Sequence, residues 1–276
     1  MTSASVTSRP ADLLALALDV AREAAALVRE ARAGTVEVTA TKSSAVDVVT
    51  DTDRASEALI RERILAARPD DSFLGEEGGR STDGSSGIRW VVDPIDGTVN
   101  FLYGIPHYAV SIAAERLDSD GSGRAEVIVG VVLDVASGTE YAARAGGGAT
   151  RDGRPIGVRP EVPLAERLVL TGFSYSAEVR AVQAAAVARM LPRVRDIRRL
   201  GSCALDLCRV AEGGADAYVE EGVQVWDHAA AGLVAREAGA RVELSRGATG
   251  RDVVIAAPEA GFAAFRTLAV ASGFLA

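Results

Sequence analysis

Four acidic stretches, far apart in the chain, carry the residues best suited to chemistry. The densest is Trp90-Val91-Val92-Asp93-Pro94-Ile95-Asp96-Gly97-Thr98-Val99-Asn100-Phe101. Asp93 and Asp96 fall three positions apart; Pro94 fixes its own φ between them, and Gly97 admits a turn that a side chain would obstruct. A strand end that fans out two carboxylates, a backbone carbonyl and the Thr98 hydroxyl suits a hard cation. Magnesium takes oxygen ligands and is commonly held by one or two carboxylates plus a substrate phosphate. The competing reading is a solvated Asp-Pro, Asp-Gly turn.

The other three stretches each carry two readings as well. Gly75-Glu76-Glu77-Gly78-Gly79 is either a solvated turn or a second strand end, offering a metal ligand and a carboxylate that holds water. Thr50-Asp51-Thr52-Asp53 crowds the start of a helix expected over 52–67. One N-cap needs one such residue, so four in a row beside Lys42 exceed what capping requires. Asp227, next to Trp226, opens a helix expected over 227–238, as its N-cap or as a rigid third metal ligand. Gly201 and Ser202 sit between a strand and a helix, either a plain turn or a place where backbone N–H groups meet a polar ligand. His107 and His228 are read as structural or exposed.

The elements that must position these residues follow from periodicity. Leu13, Leu16, Ala17, Val20, Ala24, Leu27 and Val28 mark a helix over 11–32, with Gly34 a plausible stop. Short strands are expected at 36–39 and 72–74, and a buried strand from Ile88 that stops at Asp93. Ala109–Arg116, Glu126–Val135 and Glu140–Arg144 read as sheet strands, Asp152-Gly153 as a hairpin, and Gly146-Gly147-Gly148 as a turn. Residues 80–88 read as a polar loop, with Ser81–Gly87 a mobile flap or insertion without catalytic content. From 167 onward, strands at 167–171, 196–200, 216–219, 240–244 and 252–256 alternate with helices near 178–191, 202–212, 227–238 and 259–272. This divides the chain into an N-terminal half, 1–150, and a C-terminal half, 151–276, with a mixed or parallel second layer.

Bulk composition excludes several classes. The chain has 276 residues, 48% of them hydrophobic, enough for a sizeable core in one large or two packed domains. A net charge of −8 argues against a nucleic-acid footprint, which needs a basic face. Cys203 and Cys208, with two scattered histidines, form no zinc set; they read as small apolar residues in or near a buried helix and fit a reducing cytoplasm. Met1–Pro10 lacks the order of a signal peptide, and no apolar run reaches membrane-spanning length.

Together, Gly75-Glu76-Glu77, Asp93-Pro94-Ile95-Asp96-Gly97-Thr98-Val99-Asn100-Phe101, Trp226-Asp227 with Ala229-Ala230-Ala231-Gly232 and Glu237-Ala238-Gly239, and upstream Lys42-Ser43-Ser44 and Asp51-Thr52-Asp53 resemble the inositol monophosphatase family of magnesium-dependent phosphomonoesterases. The resemblance spans nearly the whole chain. It implies an α/β (mixed α+β) fold, a layered αβαβα sandwich of the sugar-phosphatase type, usually dimeric. It implies Glu76, Asp93, Asp96, Asp227 and the Ile95 carbonyl as ligands of two or three Mg²⁺ ions per site. Glu76, Asp53 and Thr98 would be catalytic, orienting and activating a water for direct in-line attack. Ile95, Asp96, Gly97 and Thr98 would line the phosphate; Gly201, Ser202, Cys203, Glu220 and Asp227 would contact a phosphorylated polyol, with Glu220 holding a ring hydroxyl. Lithium inhibition is a further family expectation. Two positions depart from the pattern: Cys203 stands where a small residue such as Ala is common, and Ala45 replaces a frequent Pro.

Rival readings differ in testable ways. A phosphatase with an aspartyl-phosphate intermediate uses acids separated by one residue, whereas Pro94 and Ile95 separate Asp93 from Asp96. Histidinol phosphate, fructose 1,6-bisphosphate or a nucleoside 3′,5′-bisphosphate would use the same metal core, because substrate choice lives in the pocket. A non-catalytic regulatory protein retaining the fold is opposed by the complete set of carboxylates.

Overall fold

A computed structural model of the chain describes residues 9–34, 38–41, 48–78, 84–118 and 125–276. Helix α1 (Pro10–Ala33) starts on a proline whose missing N–H costs nothing in the first turn, and it buries Leu13, Ala17, Val20, Ala24 and Val28 along one face. Strands β1 (Val38–Thr41) and β2 (Val48–Thr50) pair antiparallel and lead into α2 (Asp51–Ala67).

The first large sheet contains β3 (Ser72–Gly75), β4 (Ile88–Asp96), β5 (Ala109–Leu117), β6 (Ala125–Asp134), β7 (Glu140–Arg144), β8 (Ala149–Arg151) and β9 (Arg154–Pro155), in that spatial order. Only β3 and β4 run parallel; every other pair is antiparallel. A short helix, α3 (Thr98–Tyr103), interrupts the path from β4 to β5. The second sheet holds β10 (Leu168–Thr171), β11 (Asp196–Arg198), β12 (Ala217–Glu221), β13 (Ala240–Arg246) and β14 (Asp252–Pro258), ordered β11-β10-β12-β14-β13. Its β11, β10 and β12 are mutually parallel, and β14 is antiparallel to both neighbours. The helices are α4 (Ala177–Met190), α5 (Cys203–Ala211), α6 (Val225–Glu237) and α7 (Glu259–Ser272).

Period-two alternation along the strands separates three cores. Trp90 and Val92 face α1 and α2 with Ile60, Ile64 and Phe73. Val91, between them, faces the opposite way, into the α5–α6 layer with Ala204, Leu207, Ala230 and Val234. On β12, Tyr218 joins that middle core. Its neighbours Ala217 and Val219 face α4 and α7 with Met190, Phe262 and Phe265. The result is the expected αβαβα sandwich: α1 and α2, first sheet, α5 and α6, second sheet, α4 and α7.

The middle layer is thin because its residues are small. At Gly130 of β6, a Cβ would lie 2.5 Å from the Ala230 carbonyl oxygen, so α6 rides directly on the sheet backbone. Gly130→Ala is expected to destabilise the fold by about 1–3 kcal/mol, read as a lower urea midpoint at unchanged slope. An unaltered midpoint would show that α6 shifts freely.

Several expectations change. β4 does not stop at Asp93 but continues to Asp96 through a register break. The periodicity showed no sign of α3. Helix α2 begins at Asp51 with Thr50 as its cap, and α6 begins at Val225, so Asp227 is the third helical residue and not the N-cap. Both cysteines are buried in α5. The Gly146–Gly148 turn is clamped by Glu237, whose carboxylate accepts both terminal N–H groups at 2.8 Å. Of the polar loop, 80–83 lie outside the described residues; Ser85 and Ser86 anchor its second half by donating N–H to the Asp70 carbonyl at 2.8 and 3.0 Å. Lys42 to Asp47, which include Ala45, are likewise outside the described residues.

Candidate active site

In a regular strand Asp93 and Asp96, an odd number apart, would face opposite sides of the sheet. Across from them, Asp93 pairs with Ser111 and Asp96 with Ala109, so Pro94 and Ile95 together oppose one residue, Val110. This bulge accommodates a proline, which has no N–H for the ladder, and turns both aspartates into one cavity. Gly97 then takes φ +98°, and a Cβ there would sit 3.0 Å from the His107 carbonyl oxygen and 3.1 Å from that of Gly201. No other residue type meets both demands. Asn100 secures the turn by donating to the carbonyls of His107 and Leu200, both at 2.8 Å.

Thr98 follows. Its hydroxyl lies 3.0 Å from Asp53 Oδ1 and 3.1 Å from the Ile95 carbonyl oxygen. Asp53 is fully buried at the third position of α2, and its Oδ2 accepts the Thr50 N–H at 2.8 Å as well as the Thr50 hydroxyl. It therefore caps the helix with one oxygen and holds Thr98 with the other. Burial raises its pKa, opposed by the bonds from Thr50 and Thr98.

Two further acids arrive from other elements, Glu76 from the end of β3 and Asp227 from α6, and join Asp96 of β4. Glu76 follows β3 and donates its N–H to the Val92 carbonyl at 3.2 Å, which sets it beside the end of β4. Asp96 Oδ2 accepts the Ser202 hydroxyl and the Ala204 N–H, each at 2.6 Å, at the start of α5. Asp227 Oδ2 accepts the Gln224 N–H at 2.6 Å, closing the first turn of α6. Burial, then repulsion from Glu76, Asp96 and Asp227, raises the Asp93 carboxyl well above the usual range. Burial and repulsion from Asp96 and Glu76 do the same to Asp227. Asp96 is raised by burial but relieved by its bonds from Ser202 and the α5 N–H groups.

These residues line a cavity of about 750 Å³ with Ile95, Gly97, Thr98, Gly201, Cys203 and Glu220. Of the residues singled out from sequence, Asp53 and Ser202 do not line it; they act on it through Thr98 and Asp96. Glu220 is half-buried and its carboxyl is pushed up to about 7 by burial, against a 2.9 Å hydrogen bond from the Tyr218 hydroxyl. His107 Nε2 lies 3.3 Å from Asp206 Oδ1. Burial pushes the His228 imidazole down to about 4, so it stays neutral and structural near pH 7.

Sequence reasoning missed part of the wall: Phe173 to Glu178 after β10, and Arg199, Glu221 and Arg251. Arg199 precedes the noted Gly201 by two positions and Glu221 directly follows the noted Glu220, so both had a signal in the sequence. Phe173 to Glu178 reach the cavity because β10 lies beside β12, and Arg251 because β14 lies on the other side of β12.

The donors suit a hard cation. Four carboxylates and one strand-end carbonyl converge on one wall, and positive charge would relieve repulsion that burial makes costly. Among the described residues, no three acidic, histidine or cysteine side chains are gathered closely enough to hold an ion in their present rotamers.

The fold is that of a phosphoric monoester hydrolase. The chain belongs to the inositol monophosphatase family, whose model matches residues 10–270. It is similar to the inositol-1-monophosphatase SuhB of Mycobacterium tuberculosis, 46% identical over 271 residues that cover 91% of each chain. It is also similar to a protein named Nus factor SuhB from Pasteurella multocida, 38% identical and covering 83% of this chain and 84% of that one. The solved structure of Mycobacterium tuberculosis SuhB superposes with a TM-score of 0.82 at 43% identity, covering 98% of this chain and 100% of that one. No helix among the described residues is long and apolar enough to cross a membrane.

Proposed function

We propose that the protein hydrolyses inositol monophosphate to inositol and phosphate, with magnesium as its metal and water as the nucleophile. The observation that carries this reading is the convergence of Glu76, Asp93, Asp96 and Asp227, from three separate segments of the chain, on one cavity. With the Ile95 carbonyl they would hold two or three Mg²⁺ ions. Bound there, magnesium supplies the positive charge that a dianionic ester needs and lowers the cost of deprotonating a water.

The chain's own groups do the rest. A hydroxyl has one proton, and Thr98 commits it to Asp53 or to the Ile95 carbonyl. Its oxygen then keeps a lone pair to accept from the attacking water, aiming that water's own lone pair at phosphorus. Glu76 flanks the same position and accepts the second proton. Gly97, whose lack of a side chain lets the chain pass close, completes the phosphate wall with Ile95, Asp96 and Thr98. Gly201, Cys203, Glu220 and Asp227 face the polyol, and Ser202 fixes Asp96. As the new P–O bond forms, the ester P–O bond breaks on the opposite side and the ring alkoxide leaves, taking a proton from a solvent water in the cavity, and Glu76 returns the proton it accepted to the resulting hydroxide.

A non-catalytic role would give these buried, mutually repelling acids no chemical use. The reading extends to a cytoplasmic, lithium-sensitive homodimer, for which sedimentation and a lithium titration are the checks. The decisive measurement is phosphate release from inositol 1-phosphate, histidinol phosphate, fructose 1,6-bisphosphate and a nucleoside 3′,5′-bisphosphate, with Mg²⁺ and with EDTA. Inositol 1-phosphate is expected to lead, and EDTA to remove nearly all activity. EDTA-resistant turnover overturns the metal; preference for another ester overturns the substrate.

A further inference from the structure

Glu220 is held by two residues that the reaction itself does not use. β10 and β12 are parallel, with Leu170 beside Tyr218 and Thr171 beside Val219, so Gly172 falls beside Glu220. A Cβ at Gly172 would lie 2.0 Å from Glu220 Oε2 and 2.1 Å from both Cδ and Oε1. The carboxylate thus rests flat on the Gly172 backbone. From inside the core, the fully buried Tyr218 donates its hydroxyl to Glu220 Oε2 at 2.9 Å.

We propose that Tyr218 and Gly172 are positioning residues that hold Glu220 as a carboxylate acceptor for a ring hydroxyl of the substrate, so that affinity for the polyol, and not the chemical step, depends on them. The proposal rests on the inositol phosphate reading above.

The charged and titratable groups that face Glu220 make Tyr218 decisive. Asp206 and Cys203 face it from α5, Asp96 from β4 and Asp227 from α6. The three carboxyls, with burial, disfavour its charge, whereas the buried Cys203 stays a neutral thiol. Tyr218, on its own strand, and Arg199, ahead of α5, favour it. Burial holds the Tyr218 phenol far above its ordinary range, so it remains a donor at every working pH. The sign follows directly. As pH rises through the Glu220 titration the acceptor gains charge and KM for a polyol ester falls. Removing the Tyr218 donor disfavours the carboxylate, so that fall moves to higher pH.

The test compares wild type, Tyr218→Phe and Gly172→Ala on inositol 1-phosphate and on 4-nitrophenyl phosphate, which has no ring hydroxyl, across pH 6 to 9 with saturating Mg²⁺. Tyr218→Phe is expected to move the break in KM for inositol 1-phosphate upward by about one pH unit, and to raise KM at neutral pH about 5- to 10-fold. Its kcat should stay within about 3-fold, and KM for 4-nitrophenyl phosphate should not move. Gly172→Ala displaces the carboxylate by sterics and should raise KM for inositol 1-phosphate at every pH. The inference is overturned if the break coincides in wild type and Tyr218→Phe, or if KM rises equally for both esters. Wild type that cleaves 4-nitrophenyl phosphate but not inositol 1-phosphate instead overturns the substrate reading, and the inference with it.

Discussion

Asp93→Asn is expected to yield a folded protein that has lost phosphatase activity by at least about 10³-fold and is harder to melt without metal than the wild type. The two effects have one cause. Asp93 is buried, 1% exposed, and its charge is opposed by Glu76, Asp96 and Asp227. An asparagine has nearly the same shape, and its Oδ1 still accepts the Ile95 N–H, which Asp93 now does at 3.0 Å. What disappears is one negative charge: a metal ligand is weakened and a source of repulsion is removed. The thermal midpoint of the metal-free protein should rise by roughly 2 °C for each kcal/mol of repulsion relieved in a chain of this length.

The pH dependence checks the sign. A carboxyl whose folded pKa is raised is fully tolerated below its unfolded value and becomes a burden as pH climbs through its folded value. The advantage of Asp93→Asn should therefore be absent in acid and grow toward neutral pH. In Mg²⁺ the order should reverse, because the wild type gains binding energy that the variant lacks. Melting curves with Mg²⁺ and with EDTA, beside a phosphate-release assay, read all three. A variant with a normal Mg²⁺-dependent rate would remove Asp93 from the metal set.

Thr98→Ala should lower kcat by about 10²–10³-fold while KM for inositol 1-phosphate and the Mg²⁺ requirement change little. The hydroxyl sits between Asp53 and the Ile95 carbonyl, and its task is to receive a water rather than to hold the ester. Thr98→Ser keeps that oxygen and should recover most of the rate. Steady-state kinetics of the three proteins decide the matter. Near-normal kcat in Thr98→Ala would sink the role given to the Asp53–Thr98 pair, whereas a rise in KM alone would make Thr98 a binding group.

Much of this site was legible before folding, for reasons specific to its residues. Asp93, Asp96, Gly97 and Thr98 lie within six positions, so one local bulge and one left-handed glycine bring them together. Asp53 and Asp227 were visible because acidic residues at helix starts are conspicuous, although each proved to be the third helical residue, where the sequence had put Asp53 second and Asp227 first. The polar contacts that orient the site were not visible. Tyr218 reads from sequence as a core aromatic in a strand, and nothing in the spacing shows that its hydroxyl meets Glu220. Ser202 was legible as a turn residue near the ligand; its bond to Asp96, 106 positions away, was not. Helix α3 escaped notice because six residues are too few to display a period.

By itself the sequence determined the kinds of donor present, the family, and the alternation of strand and helix that makes a layered sandwich. Those depend on side-chain identity and on contacts between near neighbours. Only the tertiary structure decided that Glu76, Asp93, Asp96 and Asp227 repel one another across a single wall, that Gly130 lets α6 lie against the first sheet, and that Gly172 leaves room for Glu220. Charge repulsion, close backbone approach and desolvation depend on distance in space, and strand order sets that distance for residues the chain keeps far apart.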